Sequence, residues 1–161
     1  MLSLEAANEL IWEKFKHLPM KHMEVNVLEG IDQIVAEDII SNVNVPDFSR
    51  SMCDGYAVQA GDINVANEDN PVLLEYLGEV LPGDSADIEL KEGQCIYVST
   101  GSMIPPGANA VIMVEQTKLQ DKDSVLIYKP ASNGERIIKR GDDIKNGQVI
   151  IKQGERMSPK H

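Results

Sequence analysis

The stretch Val72-Leu-Leu-Glu-Tyr-Leu-Gly-Glu-Val80, closed by Leu81-Pro82-Gly83-Asp84, reads as a β-strand running into a turn. Four further β-like runs follow it: Gln94–Ser99, Ala110–Glu115, Ser124–Tyr128 and Val149–Lys152. Turn signals lie between them, at Glu92-Gly93, Pro105-Pro106-Gly107, Asp121-Lys122-Asp123, Asn133-Gly134 and Asn146-Gly147. Short strands at this spacing predict a small barrel or sandwich from Pro46 onward.

Upstream of that region the period is different. Ser3 is a helix cap, with Glu5 and Glu9 near the positive end of the helix dipole. Leu4, Ala7, Ile11, Phe15 and Leu18 follow at helical spacing, and Leu10 and Trp12 widen the stripe. Pro19 ends the pattern, so the spacing predicts one long helix over residues 3–18. Its stripe is expected to be core or dimer surface, with Met20 and Met23 packing near its end. Met23, Val25 and Val27 alternate with Glu24 and Asn26 and read as a strand. Ile34 to Ile40 is compatible with a strand or a short helix. The fold class expected is α+β, mainly β.

Composition narrows the function. The chain has 161 residues, 42% apolar and 25% charged, which is the make-up of a globular domain or of two small ones. No run approaches the ~20 apolar residues of a membrane span, and the first residues carry no secretion signal. Cys53 and Cys95 alone make neither a disulfide framework nor a structural zinc site, and two reduced thiols fit a cytoplasmic protein. The net charge of −11 argues against nucleic acid. That charge is uneven. Residues 1–53 hold nine acids and four bases, 54–100 ten acids and one base, and 101–161 seven acids and ten bases. An acidic middle looks like an inserted unit.

Two segments carry more hydroxyls, glycines and rigid turn residues than a plain β fold requires. They are Val45-Pro-Asp-Phe-Ser-Arg-Ser-Met-Cys-Asp-Gly-Tyr-Ala57 and Ser99-Thr-Gly-Ser-Met-Ile-Pro-Pro-Gly107. Such loops can offer N–H groups and hydroxyls to an anion, or can be tight turns and nothing more. Further on come Ala108-Asn109-Ala110-Val111-Ile112-Met113, Glu115, Gly141-Asp142-Asp143-Ile144, Gly147 and Gly154. In this order and spacing the motifs resemble the N-terminal region of the MoeA-type molybdopterin molybdotransferases, a region shared with the insertase half of gephyrin. The resemblance runs from the helix to Pro159.

The resemblance implies a cytoplasmic homodimeric transferase that inserts molybdenum from molybdate into adenylylated molybdopterin and releases AMP, with Mg2+ assisting. It implies two domains here: an elongated one from residues 1–45 and 145–161, and a compact β-rich, barrel-like one inserted at 46–144. It also implies that this chain is a fragment, with C-terminal pterin-binding domains of the same protein following it. The competing expectation is a non-enzymatic module that keeps the fold for dimerisation or partner binding.

Site residues are carried over position by position. Asp54 matches the aspartate of the Asp-Gly-Tyr-Ala motif. Its carboxylate, beside Gly55, can bind a cation or orient a water, or can simply cap a turn. Thr100, with Gly101, matches the Thr-Gly loop and suits an oxyanion or phosphate; the alternative is a strand-ending turn. Asp143, with Asp142 before it, matches the acidic pair that follows a glycine in the family, and is either a cation ligand or solvated. Ser51, Gly55, Tyr56, Gly101 and Asp142 are expected to line the substrate. Two departures stand out. Ile138 occupies a position where many relatives have arginine, and Lys139 or Arg140 is the expected substitute. Cys53 precedes Asp54 where methionine is common; with His17, His22 and His161 remote in sequence, it is expected to be a small buried hydrophobe.

Overall fold

The computed structural model describes residues 3–19 and 21–160, so Met20 and His161 lie outside the described residues. Among the described residues one α-helix, α1, spans Leu4–Phe15, and Ser3 caps it by accepting the amide of Ala6 at 3.2 Å. It stops short of Leu18. The Lys16 amide still closes on Trp12, and Leu18, restricted by the proline that follows, turns back with its amide on Phe15 O. No residue of α1 is buried. The chain after it corrects the sequence reading: Met23–Val27 forms no strand, and Met23 is 81% exposed rather than packed. Alternation gives the segment an amphipathic look, but among the described residues no neighbouring strand supplies its hydrogen bonds.

The strands are β1 (Ile39–Ile40), β2 (Arg50–Ser51), β3 (Gly55–Val58), β4 (Val72–Val80), β5 (Gln94–Val98), β6 (Ala110–Met113), β7 (Thr117–Asp121), β8 (Ser124–Ile127), β9 (Ile137–Ile138) and β10 (Val149–Ile151). Six of them form one curled sheet in the order β6-β3-β5-β4-β8-β7, while β1 pairs with β10 and β2 with β9. All pairs in the large sheet are antiparallel except β4 with β5, whose parallel alignment is made by the long crossover at residues 81–93. The fold is therefore mainly β with one helix, as the sequence reading expects.

Chain contacts define two units, residues 1–39 with 149–161, and residues 40–148. The first holds α1 and a run of turns stitched to the C-terminal segment, for example through Val35 N to Glu155 O at 2.9 Å. The second holds the large sheet and its core. Tyr56, Val58, Leu74, Cys95, Ile112, Val125 and Ile127 pack on one face, while Ala57, Val80, Leu90, Ile96, Val98 and Val111 pack on the other. Alternate residues of β3, β5 and β6 feed opposite clusters, so these strands are apolar throughout and buried on both faces. Each large aliphatic side chain buried in this way contributes about 1.5–3 kcal/mol before entropy is counted.

Candidate functional site

The register of β3 on β5 builds the site. Gly55 stands opposite Val98, so the residue preceding β3 meets the residues following β5. Those are Asp54 and the Ser99–Thr100 turn. Asp54 Oδ1 accepts the Thr100 amide at 2.7 Å and the Thr100 hydroxyl at 2.9 Å. On the other side, Asp54 O accepts the Val114 amide from the end of β6. Two donors on one oxygen, the backbone amide foremost, hold the Asp54 carboxyl below its usual range. The group is exposed and ionised at neutral pH, and among the described residues no hydrogen bond reaches its second oxygen.

Two other sequence-selected residues join this clasp. Ser51 is 2% exposed; its hydroxyl donates to Cys53 O at 2.6 Å and accepts the Cys53 amide, which shapes the turn leading to Asp54. Gly101 adopts φ +86 and gives its amide to Ser51 O at 2.9 Å, locking the two loops together. Gly55 meets the backbone of Ile112, and Tyr56 is 8% exposed, packed edge-on against Tyr76 and Tyr97. Asp142 and Asp143 belong to a different turn. Asp142 Oδ2 accepts the Lys139 amide at 2.6 Å, while the Asp143 amide reaches Val45 O. Among the described residues no hydrogen bond links this turn to Asp54 or Thr100.

Ile138 sits directly opposite Arg50 in the β2–β9 pair. The expected substitutes beside it, Lys139 and Arg140, are exposed, and Arg136 is ion-paired with its neighbour Glu135. Sequence reading gave Arg50 no role, because only the strand register reveals what lies beside it.

A magnesium ion needs oxygen ligands gathered at one point. Among the described residues no three His, Cys, Asp or Glu side chains converge in that way. Asp54 alone does not make such a site, so no chemical step is assigned to a metal held by this chain.

Burial raises the Cys53 thiol above its usual range, and the Arg136 guanidinium offsets only part of that; burial pushes Cys95 up to about 12. Both stay protonated at neutral pH. Iodoacetamide at about pH 7.5 should therefore label the native chain far more slowly than the urea-unfolded chain. Mass spectrometry of the two cysteine peptides checks this, and rapid native labelling of Cys53 would mark it as an activated thiol.

With this geometry in place, comparison with known proteins is specific. The sequence model of the MoeA N-terminal region (domain I and II) matches residues 2–161. The molybdopterin molybdenumtransferase of Haemophilus influenzae is 33% identical over 159 residues, covering 99% of this chain and 38% of that protein. Two crystal structures of the molybdopterin biosynthesis MoeA protein of Pyrococcus horikoshii align with TM-scores of 0.82 and 0.78, at 41% and 38% identity. They cover 99% and 86% of this chain, and 40% and 36% of those chains. This chain thus spans about two-fifths of the length of these relatives, and it belongs to the MoeA N-terminal region family.

Proposed function

We propose that, in a protein carrying the remaining domains of its relatives, this chain helps insert molybdenum from molybdate into adenylylated molybdopterin with release of AMP. The observation that carries this reading is the clasp between Asp54 and Thr100. A family motif residue from each of two distant loops is brought into hydrogen-bond contact, and an ionised, exposed carboxylate is left with one free oxygen. That oxygen is suited to orient a water or to take a proton. Thr100 holds the carboxylate in place.

The reading places the protein in the cytoplasm as a homodimer. Leu4, Ile11 and Phe15, which share one face of α1, are 79%, 57% and 59% exposed, with Trp12 at the edge of that face at 68%. An apolar helix face of that extent is typical of a surface covered in the assembled protein, and a second copy is the occupant proposed here.

The test is molybdate-dependent AMP release from adenylylated molybdopterin by the full-length protein, with sedimentation of the same sample. Turnover by a dimer is expected. The 161-residue chain alone should be silent, because positioning of pterin, nucleotide and oxyanion together is worth several kcal/mol that half a site cannot provide. A full-length protein without molybdate-dependent release would overturn the reading.

A further inference from the structure

Arg50 has a paired neighbour on either side of it. Ile138 faces it from β9, and Met103 faces it from the other side through an antiparallel bridge. Directly opposed residues of antiparallel strands project from the same face, with Cβ atoms about 4.5–5.5 Å apart. The arginine stem therefore runs between two half-buried apolar side chains. Its Nε is buried and has no hydrogen-bond partner among the described residues. The three ion pairs among those residues are Lys16–Glu13, Lys122–Asp123 and Arg136–Glu135, and none includes Arg50. Arg50 is thus a half-buried guanidinium with no carboxylate partner among the described residues, although the chain has 26 acids against 15 bases. A buried N–H donor left without an acceptor is costly, and a charged one more so.

The surroundings indicate what would satisfy it. β2 runs straight into the turn that carries Asp54, and the Met103 bridge closes the Thr100–Ser102 turn, where Ser51 N donates to Ser102 O at 3.0 Å. Arg50 thus stands at the foot of both loops of the clasp. A guanidinium presents parallel N–H groups that match two oxygens of a tetrahedral anion. We propose that Arg50 binds a tetrahedral oxyanion, either free molybdate or a phosphate group of the organic substrate. The cation is thereby supplied from β2, opposite Ile138, and not from Lys139 or Arg140. Which of the two oxyanions it takes rests on the functional reading above; that it binds one does not.

Calorimetric titration of the full-length protein with molybdate alone, and with inorganic phosphate alone, tests this. Arg50→Gln should weaken binding on the order of tenfold to a hundredfold. Arg50→Lys keeps the charge but loses the fork, and should fall between. Thermal midpoints should hold in both variants. Should the Gln variant unfold, the Lys variant still decides, since it should lose affinity without losing stability. A loss confined to molybdate assigns the group to the free oxometalate; a loss confined to phosphate assigns it to the organic substrate; a loss of both marks a shared position. Unchanged affinities, or no binding of either anion to the unmodified protein, would overturn the inference. Turnover of the unmodified sample, measured in parallel, separates this outcome from failure of the functional reading.

Discussion

Asp54→Asn in the full-length protein should lower the insertion rate on the order of a hundredfold, the scale of a lost general acid–base or charge-positioning group, with the thermal midpoint unchanged. The midpoint should hold because an amide oxygen at Oδ1 can still accept both the amide and the hydroxyl of Thr100. The free side of the group changes instead. An ionised oxygen becomes an NH2, which cannot take a proton. The pH dependence has a definite sign. The Asp54 carboxyl lies below its ordinary value of 3.8, so its contribution is complete above that value and fades only as pH falls through the lower folded one. An acidic limb of the rate profile at higher pH must then belong to another group. Steady-state rates and melting curves of the two proteins check this. An unchanged rate would remove Asp54 from the chemistry, and a large fall in midpoint would make it a structural cap.

How much of this was legible beforehand depended on whether the signal was local. Val72–Val80 was read whole, because a long apolar run ending in Pro-Gly is self-contained. β7 was not read, because Thr117–Asp121 is an edge strand whose one apolar residue, Leu119, is 53% exposed. Met23–Val27 misled for the opposite reason: it alternates like a strand but has no partner. β3 was hidden inside a motif read for chemistry. The site divides in the same way. The choice of Asp54 and Thr100 as site candidates is carried by the family resemblance. That they touch follows from the pairing of Gly55 with Val98 across some forty residues, which no local pattern encodes. Asp142 and Asp143 were grouped with them by motif, yet their hydrogen bonds run to Lys139 and Val45. Ile138 read as a missing cation until the register placed Arg50 beside it.

Gly55→Ala should be among the most damaging glycine substitutions in this chain. The glycine of the Asp-Gly-Tyr-Ala motif invites a ligand-approach reading, but the close approach here is made by a neighbouring strand. A Cβ built at Gly55 lies 2.0 Å from Ile112 O, 2.8 Å from Ile112 C and 3.1 Å from Met113 Cα. All three are backbone atoms of β6, so no side chain can swing aside. Relief requires β6 to shift by more than an ordinary packing adjustment. Yet Ala110, Val111 and Ile112 are all 0% exposed and feed both core clusters, so any shift opens packing on two faces of the sheet. Overpacking of a core costs about 1–3 kcal/mol and sometimes more, and each β3–β6 hydrogen bond lost adds about 1 kcal/mol. The expected destabilisation is therefore about 3 kcal/mol or more, a fall in midpoint of roughly 6–12 °C for a domain of this size. Gly61→Ala is the matched control: a Cβ there meets nothing within 4 Å, so its midpoint should barely move. Urea denaturation of both variants decides the point. If Gly55→Ala were as stable as Gly61→Ala, β6 could not lie as close to β3 as the register requires, and the glycine would have to be explained by what binds beside Asp54.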